Sequence, residues 1–151
     1  MNMKRILLAA FVLASVKLFA QPAAPASPPP TRNATDVISI YSGAYTNRAG
    51  VDFNPNWGQS GFAGATTFTV AGDEMRFYPN MNYQGVDFNG SVNASNMTHV
   101  HFDVWTPASG ATATNFEFFL ISPGPQEQAS ATVPTAGGWK SVDIPLSSFP
   151  N

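Results

Sequence analysis

The chain has 151 residues, no cysteine, 11% charged and 13% aromatic residues, and a formal net charge of −2. That length suits one domain rather than two, and the absence of cysteine excludes a fold stapled by disulfides. Seven basic residues against nine acidic ones leave no basic footprint for nucleic acid.

The first stretch, MNMKRILLAAFVLASVKLFA, has the layout of a secretory signal peptide spanning residues 1–20. Lys4 and Arg5 precede the apolar run Ile6 to Val16, and Ala20 stands before an expected cut at Gln21. Lys17 breaks the run, which is too short to span a bilayer. The protein is therefore expected to be secreted or held at the cell surface, with no membrane contact after cleavage. Loss of Lys4, Arg5 and Lys17 leaves Arg32, Arg48, Arg76 and Lys140 against nine acids, a net charge of −5. Residues 21–35 follow as a linker, and QPAAPASPPPT within them favours extended polyproline geometry and reads as a semi-rigid spacer.

From residue 36 to 151 the punctuation is that of an all-β domain. Asp36 to Tyr41, DVISIY, alternates and is rich in β-branched residues, and Ala65 to Val70, ATTFTV, reads as a second strand before the turn Ala71-Gly72-Asp73. Glu74 to Tyr78 and Gln84 to Phe88 are weaker strands on either side of PNMNY. In THVHFDVWT, Thr98 to Thr106, the period of two puts Val100, Phe102 and Val104 on one face and His99, His101 and Asp103 on the other. Asn115 to Ile121, Gln128 to Val133 and Trp139 to Ile144 complete the set. No segment carries a capped 3.6-residue period. Short strands separated by turn signals predict a β-sandwich or jelly roll.

DVISIYSGAYTNRAGVDFNPNWGQ, MNYQGVDF, THVHFDVWTP, NFEFFLISPGP and GWKSVDIPLSSF together resemble a module of secreted Bacteroidetes proteins. That module is often appended to glycoside hydrolases such as laminarinase-like β-glucanases, and it resembles the galactose-binding-like β-sandwich of many carbohydrate-binding modules. The resemblance runs from Asp36 to Phe149 and implies a bacterial source, a polysaccharide ligand and an associated glycoside hydrolase as partner. It also implies a structural calcium ion, for which the residues themselves name no ligands. Family members continue through a further strand pair, so the chain reads as C-terminally truncated.

The chemistry is read from three groups of residues. The nine acids fall in no hydrolase motif, and a glycosidase needs two carboxylates across the scissile bond, so no catalytic residue and no enzymatic activity are expected. His99, His101 and Asp103 share a strand face at a spacing that suits either metal ligation or a solvated polar row. The aromatics are the third group. Tyr45, Trp57 and Tyr83 lie in loop-like segments rich in amides, where a ring can stack on the C–H face of a sugar while Asn56, Gln59 and Gln84 bond its hydroxyls. The competing reading makes NPNWG a packed turn, with the Trp57 indole plugging the core and Asn54 and Asn56 bonding their own backbone. Trp105 and Trp139, on or beside strands, read as core residues. The expected function is noncatalytic binding of a neutral polysaccharide, such as a β-glucan, that holds a glycoside hydrolase on its substrate. A secreted structural or adhesive protein, or a gene fragment of a larger hydrolase, is the alternative.

Overall fold

A computed structural model describes residues 20–108, 115–121, 126–132 and 137–149. The signal peptide expected at residues 1–20 lies outside them except for Ala20. Among the described residues the regular structure is almost entirely β, with three single-turn 3-10 segments, so the expected all-β class holds. Six strands run in chain order: β1 Thr66–Val70, β2 Asp73–Phe77, β3 His99–Thr106, β4 Asn115–Leu120, β5 Glu127–Thr132 and β6 Gly138–Pro145. They form three antiparallel pairs, β1 with β2, β3 with β6, and β4 with β5.

The longest ladder joins β3 to β6 from His99 opposite Pro145 to Thr106 opposite Gly138. Residues directly opposite share a face, so Val100, Phe102 and Val104 lie on the side of Val142 and Ile144. Val142, Ile144, Phe149 and Ala129 of β5 form the buried cluster, and Phe118 and Leu120 of β4 pack on it. Phe102 locks the two ladders together: its ring centroid lies 5.3 Å from that of Phe116 and 5.3 Å from that of Phe118, the latter stacked at 18°. A second, smaller apolar centre lies under the β1–β2 hairpin, where Met75 is buried and Phe68 meets Phe77 edge-on. Ala71 and Gly72 turn that hairpin with both φ angles positive, the geometry that matches strand twist.

Four expectations change. DVISIY is not a strand: Ala34–Asp36 forms a 3-10 turn, and of the rest Ser39 alone bridges, to Asn47. Alternation alone does not make a strand where no partner lies alongside. Gln84 to Phe88 is likewise reduced to the bridge between Asp87 and Asp52. Asp73, expected in a turn, instead opens β2. Trp105 and Trp139 stand opposite each other, but on the outer face of the β3–β6 ladder and half-buried rather than in the core.

The proline-rich stretch lies against the domain. The Trp139 indole N–H donates to the Ala24 carbonyl at 2.8 Å, and Pro22 is buried. Further along, the Tyr45 hydroxyl donates to the Pro30 carbonyl and accepts from the Arg32 amide.

Because Ile144 is 4% exposed at the centre of the shared cluster, Ile144→Ala is expected to cost about 3 kcal/mol, measured as a lowered denaturation midpoint at unchanged slope.

Candidate functional site

Two loops build the site. The first runs from Asp52 to Ala65 and carries DFNPNWGQSGF, and the second, from Tyr78 to Asp87, carries YPNMNYQGVD. Their bases are joined by a reciprocal pair of backbone bonds between Asp52 and Asp87, at 2.9 and 2.8 Å. Above this the Phe53 carbonyl accepts from the Tyr78 hydroxyl and the Gln84 amide. The Ser60 amide donates to Asn82 Oδ1 at 2.7 Å, and the Tyr83 hydroxyl donates to the Trp57 carbonyl at 2.6 Å. Gly61, at φ 78°, lets the first loop come so close to the Pro79 carbonyl that a Cβ would collide with it.

Phe53 also ties the site to the strands. Its ring takes the Arg76 guanidinium at 4.4 Å and the Tyr41 ring edge-on at 5.2 Å. The Tyr41 hydroxyl in turn donates to Glu74 at 2.8 Å. Burial pushes that hydroxyl up from its ordinary range, and the Glu74 carboxylate adds to the effect by bonding the protonated form.

The amides of the first loop are mostly spent on the loop itself. Gln59 is 5% exposed; its Nε2 donates to the Pro55 carbonyl and to Asn54 Oδ1, and its Oε1 accepts from the Trp57 amide. Asn54 Nδ2 donates to the Phe62 carbonyl, and Asn56 Oδ1 accepts from the Gly58 amide. Gln84 Nε2 is shared between the Phe53 and Gly85 carbonyls. Gln59 and Gln84 thus hold the loops together. Asn56 and Asn82 each keep a side-chain NH2 with no partner among the described residues.

This bonding leaves the apolar groups on show. Trp57 is 48% exposed, Tyr83 45% and Met81 41%, three of the five large exposed apolar side chains among the described residues. The Trp57 indole rests on Gly85, which is buried and has no room for a Cβ beneath the ring. One side of the Trp57 indole is packed, and about half of the residue's surface remains open. Tyr45 is not tied to this group, because its hydroxyl is engaged by the proline-rich stretch. Met81 was not singled out from sequence. The signal was an apolar residue flanked by two asparagines inside a turn, with Asn80 at positive φ.

The strand-face histidines lie elsewhere. His101 sits between two carboxylates, with Nδ1 at 2.9 Å from Asp143 and Nε2 at 3.7 Å from Asp103, while His99 meets Thr98. Among the described residues no group of three or more His, Cys, Asp or Glu is placed to hold a metal ion. No helix of the described residues is long and apolar enough to cross a membrane.

Compared with known proteins, the chain matches no protein-family model, no curated protein and no solved structure.

Gly85→Ala is expected to push the indole off its seat, costing about 2 kcal/mol by overpacking and changing the near-ultraviolet circular dichroism. The Tyr41 shift also has a pH consequence. A raised folded-state pKa contributes stability that is complete below the unfolded value of about 10 and is lost as pH rises beyond it. Unfolding curves between neutral and alkaline pH should show this decline, and Tyr41→Phe should make it shallower.

Proposed function

We propose that the chain is a noncatalytic carbohydrate-binding module whose loop site, centred on Trp57 and Tyr83, takes a neutral polysaccharide. The observation that carries this reading is the exposure of Trp57, Tyr83 and Met81 on two loops cross-braced by hydrogen bonds. A loop that spends its amides on fixing its own shape, and still leaves an indole half open, presents a preformed apolar surface. The C–H face of a pyranose stacks on such a surface, and the unpartnered NH2 groups of Asn56 and Asn82 suit hydroxyl oxygens. A rigid aromatic also loses little conformational entropy on binding.

Gln59 and Gln84 serve this site by position, as the braces that hold the rings, and Tyr45 belongs with the proline-rich stretch. For the finer fold we propose a galactose-binding-like β-sandwich of jelly-roll kind, supported by the way the β3–β6 and β4–β5 ladders share one core. The partner would be a glycoside hydrolase, attached or co-secreted. The module works by proximity, raising the effective concentration of the enzyme on its polymer without touching the reacting bond. Export through the leader at residues 1–20 is part of the same proposal.

The test is a calorimetric titration of the chain against soluble neutral polysaccharides, β-glucans included, alongside Trp57→Ala. We expect saturable binding to one glycan class and a loss of at least about tenfold in affinity on removing the indole, with the fold intact. Binding that survives Trp57→Ala unchanged, or a folded chain that ignores every glycan, overturns the proposal.

A further inference from the structure

Asn89-Gly90 is the one Asn-Gly pair in the sequence, and it stands just past the second loop of the candidate site. Both residues are exposed, and both turn with positive φ, 57° and 94°. Asparagine tolerates that region better than most side chains, and glycine enters it freely. Asp87 Oδ1 accepts from the Asn89 amide at 2.9 Å, which closes a short side-chain turn. From the other side Arg48 Nη2 donates to the Asn89 carbonyl at 3.0 Å, and its Nε holds the Phe88 carbonyl. The Asn89 carboxamide lies against Gly50, so close that a Cβ there would collide with Nδ2. Among the described residues neither that carboxamide nor the Gly90 N–H has a hydrogen-bond partner.

We infer that Asn89 is a self-modification site, at which the Gly90 nitrogen closes a ring onto the Asn89 side chain. The Gly90 N–H gives its proton to hydroxide, the nitrogen attacks Asn89 Cγ, and the side-chain nitrogen leaves as ammonia. Water then opens the resulting succinimide at either carbonyl, which gives aspartate or isoaspartate at position 89. Water and hydroxide are the only co-reactants, and nothing is oxidised or reduced. Three features favour the step. Glycine has no Cβ to shield the attacking nitrogen. Neither reacting group has to break a hydrogen bond first. The Arg48 guanidinium is bonded to the carbonyl of the very peptide that ionises, so it stabilises the negative charge left by the departing proton. The consequence falls on the loops. Isoaspartate lengthens the main chain two residues beyond Asp87, whose backbone pairs with Asp52 at the base of both loops.

The test incubates the unaltered chain at mildly alkaline pH and follows each asparagine by peptide mass spectrometry, with isoaspartate scored by an isoaspartyl methyltransferase. Asn89 is expected to convert ahead of every other asparagine, with isoaspartate among its products. Direct hydrolysis yields aspartate alone, so aspartate without isoaspartate, or earlier conversion elsewhere, overturns the inference. Arg48→Met is expected to slow the reaction severalfold in the folded chain and to leave it unchanged in urea, where the local sequence acts alone. An equal or faster rate in the folded variant removes Arg48 from the account. Should Arg48→Met fail to fold, Arg48→Gln, which keeps a donor without the charge, takes its place. Hydrogen exchange of the aged, unaltered chain reads the consequence without any ligand. The amides of Asp52 and Asp87 lose protection as isoaspartate accumulates, and unchanged protection overturns the link to the loops.

Discussion

The contact of Phe102 with Phe116 and Phe118 is what makes one body of the larger part of this chain. With the packing of Ala129 on Val142 and Ile144 it joins the β3–β6 and β4–β5 ladders, each too small to hold itself in water. Around that aromatic seam the apolar cluster is thin: among the described residues only five hydrophobic side chains are buried, one of them under the separate β1–β2 hairpin. A core this slight places more of the burden on backbone ladders and on the polar bracing of loops. It also explains why the two long loops are so thoroughly hydrogen-bonded.

Those loops are held by a different chemistry from the core. Phe53 is their hub, with its ring held by Arg76 and Tyr41 while its carbonyl gathers Tyr78 and Gln84. Buried Gln59 acts in the same way within the first loop, bonding three backbone or side-chain groups that would otherwise need water. Apolar rings stay outside because the room inside is taken by amides. In most loops the arrangement is the reverse, with apolar side chains turned in and amides turned out.

How much of this was legible in the sequence depended on whether the signal was periodic. In His99 to Thr106 the alternation named both faces correctly, because each residue has a cross-strand partner that rewards it. The same alternation in Asp36 to Tyr41 misled, since strand propensity is a statement about neighbours and this segment meets only one bridge. Trp105 and Trp139 were placed in the core because they sit on or beside strands, yet their odd positions share a face with His101 and Asp143. For the loop site, the sequence identified Trp57, Tyr83 and Asn56 as neighbours of a kind. It could not tell a glutamine that braces the loops from one that faces outward, because Gln59 depends on how its own loop curls and Gln84 on a contact with Phe53 31 positions away.

The proline-rich stretch has a consequence for the order in which the molecule assembles. Its anchor at Trp139 lies 115 residues away, on a strand that itself needs β3 to form. Loop-closure entropy disfavours such a contact until the intervening chain is already compact. This early segment is therefore among the last to find its place, and during synthesis residues 20–32 trail beside a domain still taking shape. Once docked, they are also the portion that separates at least cost, since their departure leaves both ladders and the aromatic seam intact.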